Sequence, residues 1–595
     1  MAFDASQFMY NSGSSDYEIT NSLRLENGDS AYLSQTLGTA TNNDKATFSC
    51  WTKRGNLGGN DKLITRYTDA NNRFYIAFAA NDKLYVYSKI SGTTVIALYS
   101  TAIFRDISSW YHILVAMDTT QGTASNRIKI YVNGTRITAF DTETYPDQNQ
   151  DLILQSATNT ALTIGSYDPA DVAQFYDGYM AEINFIDGAQ KAPADFGETG
   201  DYGEWKPIKY AGTYGDNGYH LDFKSSGVGT AGSGTVGADR SGNTNHWTST
   251  NIVVTDQMLD SPTNNFATWN PVNITTTNPP SFAEGNLQVT TPNNGAGCTV
   301  STMGVTSGKW YAEILPVSYT SLPRYAVAIT GDAGATIRAN TNIGSLTSGF
   351  DVGYFFNGTR FVGNTETADW GATYAAGDII GVALNADDNE VTFYKNNSSQ
   401  GAISFTAGGT YHFAYGDVSA GGGGPTVANY GQDSSFAGAK TAQGNQDGNA
   451  IGDFYYAPPS GFLALCTNNL PDVAVIPSEH FNTVTWAGNG ADDRSISGVG
   501  FQPDFVWNKA INRAGGDGHY LYDAIRGATK VLYSNAANAE ATEGNALQAF
   551  ESDGFEMGSD SNSNSSSYNY VAWNWKAATA FSNDASATSV GSIDS

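Results

Sequence analysis

Two carboxylates stand five positions apart in the segment Glu182-Ile183-Asn184-Phe185-Ile186-Asp187. A pair of carboxylates is the machinery of glycoside hydrolysis. A retaining enzyme holds them about 5 to 5.5 Å apart, one as nucleophile and one as acid and base. The segment reads as a strand, and residues i and i+5 of a regular strand point to opposite faces. The pair can meet only if a bulge intervenes. Asp187-Gly188 is also a turn signal, so the ordinary reading is the end of a strand.

Other chemistry-bearing patterns are weaker. Gly227-Val228-Gly229-Thr230-Ala231-Gly232 fits G-x-G-x-x-G, but Gly, Ser and Thr follow it where a dinucleotide site needs a helix N-terminus. It reads as a loop. No G-x-S-x-G elbow is present. The six histidines show no zinc-ligand spacing, and His112 and His412 sit in aromatic strands as satisfied core residues. Cys50, Cys298 and Cys466 are far apart and read as small buried hydrophobes. Calcium is the one ion with candidate ligands, at Asp69, Asn71 and Asn72 and at Asp387, Asp388 and Asn389. The same residues favour turns. These patterns imply a protein that is not an enzyme and needs no cofactor.

The bulk composition points the same way. Of 595 residues only 15% are charged, against about 25% in an ordinary soluble protein, while 12% are aromatic, including 34 Tyr and 11 Trp. The surface must be built from Asn, Ser, Thr, Gly and Tyr. A net charge of −28 excludes a nucleic-acid backbone and disfavours an anionic membrane surface. The start, MAFDASQFMY, has no basic or apolar region of a signal peptide, and no apolar run is long enough to span a bilayer.

Strand signals run from end to end. Phe74-Tyr75-Ile76-Ala77-Phe78 and Leu84-Tyr85-Val86-Tyr87 flank a turn, and Ile128 to Val132 alternates before Asn133-Gly134, with Thr135 to Phe140 as the return strand. Val391 to Asn397 repeats the pattern, with Gly401 starting its return. The best helix candidate is Ala539 to Phe550. The expected fold is all-β, in tandem antiparallel sandwiches. The expected order is an arm over 1–20, a first sandwich over 21–200, a connector over 201–280, a second sandwich over 281–436, a linker over 437–464, a β-rich module over 465–577 and a polar tail over 578–595. Within the connector, Tyr219 to Phe223 could add a strand to a neighbouring sheet.

The order Phe48-Ser49-Cys50-Trp51, Trp110-Tyr111-His112-Ile113, Lys129 to Gly134 and Gly178 to Ile183 resembles laminin-G-like, concanavalin-type jelly rolls, in particular those of marine phage structural proteins. Glucanases of that fold carry E-x-D-x-x-E. Here Asn184 stands for the middle Asp and Asp187 for the second Glu, which removes the expected carboxylate set. Ser307-Gly308-Lys309-Trp310-Tyr311, Gly377 to Asn385 and Tyr411 to Tyr415 resemble a SPRY domain. Residues 465–577, with Gly498 to Trp507 and Tyr570 to Lys576, resemble a module found behind SPRY units in phage proteins.

The resemblance implies a virion protein, made in the host cytoplasm and released by lysis. It fits an adhesin such as a tail-fibre or receptor-binding protein that recognises a host-surface glycan or protein. The alternatives are a structural head-fibre, decoration or tail-appendage protein, and a glycan depolymerase. Ligand contact is expected from the SPRY-like loops, at Tyr319, Arg338 and Arg360, with Gly331 to Gly349 as the longest of them. Trp370 and Tyr374 read as structural aromatics. The arm, with Phe3, Phe8, Met9 and Tyr10, is expected to dock on other virion proteins, and a homo-oligomer, in the form of a trimer, is expected of an appendage.

Overall fold

The computed structural model describes residues 17–155, 161–168, 174–276, 278–292, 297–319, 325–331, 350–363, 365–417, 423–471, 476–513 and 518–577. They form two compact units, 1–200 with 204–472 and 201–203 with 473–595. The fold is all-β, with several antiparallel sheets, and the helical segments among the described residues are short 3-10 turns. None is long and apolar enough to cross a membrane.

The first unit holds two sandwiches. In the first, one sheet runs Thr135–Arg136, Ile128–Val132, Tyr111–Asp118, Lys45–Arg54, Gly178–Asp187, Ser22–Leu25 and Gln257–Met258. Tyr219–Leu221 pairs with Gly178–Asp187. The facing sheet runs Phe140–Thr144, Thr93–Ile103, Lys83–Ile90, Asn72–Phe78, Asp61–Asp69, Leu162–Ile164, Tyr32–Gln35 and Thr248–Thr250. Alternate residues of each strand, such as Phe74, Ile76 and Phe78 or Ile113 and Val115, interdigitate between the sheets. Asn133 and Gly134 adopt φ of 47° and 74°, the left-handed pair that a two-residue hairpin requires. The return strand is shorter than its sequence implies. It ends at Arg136, and Phe140–Thr144 crosses to the facing sheet beside Thr93–Ile103.

The stretch 201–280 is thus more than a tether. Its Gly- and Asn-rich composition hides five strands among its described residues, Trp205–Pro207, Tyr219–Leu221, Thr248–Thr250, Gln257–Met258 and Trp269–Ile274, and Trp247 and Phe223 pack into the first core.

The second sandwich pairs a sheet of Trp269–Ile274, Cys298–Ser301, His412–Asp417, Tyr325–Thr330, Asp351–Phe355, Arg360–Val362 and Thr365–Thr367 with a second sheet. That sheet runs Ser281–Ala283, Gln288–Thr290, Pro425–Asn429, Lys309–Pro316, Ile380–Asn385, Glu390–Lys395 and Ser398–Ser404. Trp269, Trp310, Tyr374, Phe393 and Phe413 fill its core. The Asn396-Asn397 turn has φ of 46° and 68°, so the return strand starts at Ser398 and Gly401 lies at a bulge inside it.

The two sandwiches share a buried junction. Trp51, Trp110, Tyr179 and Met258 pack with Leu287, Leu315, Ile379, Val427 and Phe436. At its centre Arg24, 1% exposed, lies 3.0 Å from Asp256, 2.9 Å from Glu284 and 3.6 Å from Asp433. Three carboxylates around one guanidinium repay its desolvation, which an unpaired cation could not do. Tyr179 donates to the Gly285 carbonyl at 2.8 Å, and Gly285 has φ 59° with no room for a Cβ against the Tyr179 ring. Residues 445–456 are bound in as well. Buried Glu313 accepts the backbone N–H of Tyr455 and Tyr456 at 2.8 and 2.7 Å.

The other unit is a smaller two-layer module. A six-stranded sheet of Phe481–Ala487, Asn569–Trp575, Phe505–Ala510, Tyr520–Asp523, Lys530–Tyr533 and Ala541–Thr542 faces a three-stranded one, Arg494–Ser497, Gly554–Met557 and Leu547–Glu551. The expected helix from Ala539 to Phe550 is absent. Ala541–Thr542 and Leu547–Glu551 are strands instead. Gly544-Asn545 splits the helix formers into pieces too short to nucleate, and Leu547 is drawn into the core.

Candidate functional site

The sheet of the first sandwich that contains Asp61–Asp69 turns one face to the core with Ile64, Phe74, Ile76, Leu84, Val86, Ile96 and Leu98. The intervening positions face outward, and Tyr75, Tyr85, Tyr87 and Tyr99 are among them. Tyr75 pairs directly with Tyr87 and Ala77 with Tyr85. Tyr85 in turn pairs with Tyr99, and Tyr99 with Thr142. The rings form a continuous ladder. Tyr75 stacks on Tyr87 at 5.1 Å, Tyr85 stacks on Tyr99 at 4.7 Å, and Tyr75 meets Tyr85 edge-on at 5.3 Å. Tyr167 extends it, 5.6 Å from Tyr75 and 5.0 Å from Tyr67.

Two cations are set into the ladder. Lys62 donates to the Tyr85 hydroxyl at 2.9 Å and lies 4.9 Å from the Tyr75 ring centre. Arg73 lies 5.5 Å over Tyr87. Tyr75 and Tyr85 are the floor, 9% and 5% exposed, while Tyr67, Tyr87, Tyr99 and Tyr167 are half-buried rings that reach solvent. Burial first, and neighbouring phenols second, push the Tyr75, Tyr85 and Tyr99 pKa values up, so all three are neutral hydroxyls. A row of apolar ring faces edged by neutral hydroxyls and by Arg73, with Lys62 buried beneath it, is suited to the flat C–H face and hydroxyl rim of a sugar.

This face was not singled out from the sequence. The strands are legible, but the tyrosines become neighbours only when Tyr75 and Tyr99, 24 residues apart, are brought into register. The available signal was the alternation Tyr85-Val86-Tyr87 opposite Phe74-Tyr75-Ile76.

Of the residues expected to make contact in the second sandwich, Tyr319 and Arg360 are described. Arg360, on a short strand, lies 5.5 Å over Trp370, which packs edge-on against Tyr354. Tyr374 is buried and donates to the Tyr354 carbonyl at 2.8 Å, a structural aromatic as read. Trp370 combines that packing role with the support of Arg360. Tyr319 is half-buried against the same core. Arg338 and residues 332–349 lie outside the described residues, as does the arm over 1–16.

The carboxylate pair is held apart. A bulge does occur, since Glu182 and Ile183 together oppose Cys50 and Glu182 has φ 47°. It precedes Asn184, and from Asn184 to Asp187 the register is regular. Asn184 therefore shares a face with Ile186, and Asp187 turns the other way. Glu182 accepts from Tyr17 at 2.7 Å and lies 2.8 Å from His220 Nε2. Asn184 accepts from Tyr214 at 2.8 Å. Asp187 shares none of these partners. It accepts the Thr41 and Asn217 backbone N–H at 2.7 and 3.0 Å and the Gln155 amide at 2.6 Å.

His112, His412 and the cysteines are core groups. His112 Nδ1 accepts from Trp205 at 3.0 Å, which leaves the proton on Nε2, 2.8 Å from Ser49. Burial pushes this imidazole down to about 3. His412 Nδ1 donates to the Ser301 carbonyl at 2.9 Å. The three cysteines are buried and unlinked. The Asp69 carboxylate accepts from Asn71 and Asn72 in a local turn, and Asp387 accepts the Gly308 N–H at 2.7 Å. Among the described residues no three His, Cys, Asp or Glu side chains gather to hold a metal ion.

Residues 26–193 match the concanavalin A-like lectin/glucanases superfamily, and residues 476–595 match a domain of unknown function, DUF7483. No curated protein matches the chain. Three solved structures are similar in part. The SPRY domain of human HERC1 is 16% identical over 27% of this chain and 96% of that one, with a TM-score of 0.23. A putative carbohydrate binding protein from Bacteroides ovatus is 16% identical over 40% of this chain and 59% of that one, with a TM-score of 0.26. The heptameric SAP-like pentraxin from Limulus polyphemus is 13% identical over 29% of this chain and 80% of that one, with a TM-score of 0.23.

Proposed function

We propose that this chain is a glycan-binding attachment protein of a phage particle, and that the tyrosine face of its first sandwich is the principal sugar platform. The observation that carries this reading is the Tyr75, Tyr87, Tyr85 and Tyr99 ladder with Arg73 over its outer edge. The lectin/glucanase superfamily match over the same sandwich supports it. Binding without cleavage is favoured over hydrolysis, because Glu182 and Asp187 are turned to different partners. The SPRY-like loops around Arg360 and Trp370 are a second, smaller contact area.

The test is binding of purified chain to host-surface polysaccharide, with Tyr87→Ala and Tyr99→Ala made singly and together. Each exposed ring that covers a sugar should contribute about 1.5 kcal/mol, roughly tenfold in affinity. Binding unchanged in the folded double variant refutes the platform. A chain that adheres to particles but to no host cell or glycan is a structural appendage instead.

A further inference from the structure

One row of the tyrosine-bearing sheet sets two cations side by side. Arg73 of the strand Asn72–Phe78 pairs directly with Lys89 of Lys83–Ile90. Tyr67 stands opposite Arg73 on one flank, and Thr94 opposite Lys89 on the other. Arg73 precedes Tyr75 by two residues and Lys89 follows Tyr87 by two, so both share the outward face of the tyrosine ladder. Both are half-buried. The Arg73 guanidinium carbon lies 5.5 Å from the Tyr87 ring centre, which places it on that face directly. Donation of Nη1 to the Ala70 carbonyl at 2.7 Å orients the fork there.

Like charges directly opposite one another weaken a sheet. The chain has 58 Asp and Glu for 30 Lys and Arg, so an acid is the commoner neighbour to supply. Nearby cations have one. Lys83 is paired with Asp141, Arg105 with Asp82 and Arg54 with Asp61. Among the described residues, Arg73 and Lys89 form no ion pair. Asp69, the nearest acid along the chain, is turned into its own hairpin, where it accepts from Asn71 and Asn72.

We infer that Arg73 and Lys89 are the anion-reading edge of the tyrosine face, and that the ligand of this face is an acidic polysaccharide whose carboxylate or sulfate groups are held by the two cations. The inference rests on the reading of that face as a sugar platform, and adds the class of sugar. Ring faces accept the C–H side of any sugar, whereas a guanidinium fork beside an ammonium selects sugars that carry anionic oxygens. Two residues along a strand span about 7 Å, so the cation row borders the Tyr75 and Tyr87 row closely enough for one chain to meet both. The net charge of −28 sharpens the choice of place. An acidic polymer is repelled by most of the surface and held where the two cations stand.

The test is binding of the full chain to two matched pairs of polymers, alginate with its carboxyl-reduced form and dextran sulfate with dextran. The natural chain should hold an acidic member about tenfold or more tighter than its neutral counterpart, and the pair that shows this tells carboxylate from sulfate. Arg73→Gln with Lys89→Gln should abolish the preference, and Tyr87→Ala with Tyr99→Ala should weaken binding of the acidic polymer as well. Lys89→Glu gives a second readout, because it sets a carboxylate opposite Arg73. Its melting transition should hold or rise while acidic binding falls. Equal binding within both pairs, lost in the tyrosine variant, overturns the inference and leaves the platform standing. A preference that survives in the Arg73 and Lys89 variant, or no binding to any of the four polymers, also overturns it. Acidic binding lost in that variant but untouched in the tyrosine variant keeps the anion site and refutes the platform.

Discussion

Lys53 Nζ lies 2.7 Å from Asp260 Oδ2, and both side chains are sealed from solvent. Lys53 belongs to the central strand of the first sandwich, and Asp260 to the stretch that leads into the second. Asn265 Oδ1 and the Phe266 carbonyl complete the ammonium's partners at 2.7 and 3.0 Å, while Asp260 Oδ1 accepts from Trp110 at 3.2 Å. Such a set locks the geometry of the junction. It makes each partner costly to remove alone.

Asp260→Asn or Lys53→Ala is therefore expected to destabilise the first unit by about 3 to 5 kcal/mol, because a buried charge is left without its counter-ion. The pair Lys53→Met with Asp260→Leu should recover most of that loss. Denaturant unfolding reads both. Singles that unfold with the natural midpoint would show that the pair is dispensable.

Acid should weaken the same unit. Burial lowers the His112 pKa from 6.5 to about 3, so the unfolded chain takes up the proton at a higher pH than the folded one. The stability this group contributes is complete above about 6.5 and falls by roughly 1.4 kcal/mol per pH unit as the pH drops toward 3. His412, lowered by burial, acts in the same direction. His112→Gln should flatten the dependence of stability on pH between about 6 and 4 by one proton's worth. A slope equal to that of the natural chain would assign the effect to other groups.

The all-β fold was legible because period-two alternation and Asn-Gly turns are local signals, and Asn133-Gly134 forms the hairpin it announces. The helix read at Ala539 to Phe550 failed because its propensity is local, while burial of Leu547 against Phe555 and Met557 is not. The carboxylate question turned on one residue of register. The sequence shows that Glu182 and Asp187 need a bulge, but its place before Asn184 is set by pairing with the distant strand Lys45–Arg54. The tyrosine face was hidden for the same reason. Each tyrosine is visible as a strand residue, but which of them share a face across four strands depends on bulges that shift the register, as between Lys83 and Tyr85.

In the second sandwich, Arg360 of the expected contact set lies over the structural aromatic Trp370. Arg360→Ala removes a cation from above an indole, a contact of about 0.5 to 1 kcal/mol at such a site. Host-cell adsorption by the Tyr319→Ala and Arg360→Ala double variant is expected to fall severalfold, with the melting transition retained. If adsorption is lost with Tyr87→Ala and Tyr99→Ala but untouched here, the second sandwich serves as a spacer.

The final prediction separates binding from cleavage. Both oxygens of Asp187 are engaged, by the Thr41 and Asn217 backbone N–H and by Gln155, so this carboxylate clasps two loops. Glu182 is 5% exposed and accepts from Tyr17, whose own pKa is raised by burial and by the Glu182 charge. Neither carboxyl is placed to protonate a glycosidic oxygen while the other attacks. Incubation with polysaccharide should release no reducing ends, from the natural chain or from Glu182→Gln. Asp187→Asn should lower stability by about 1 to 3 kcal/mol, as expected when buried backbone donors lose a charged acceptor, while glycan binding at the tyrosine face persists in the folded fraction. Turnover by the natural chain that disappears in Glu182→Gln, with folding intact, would establish catalysis and overturn the binding-only reading.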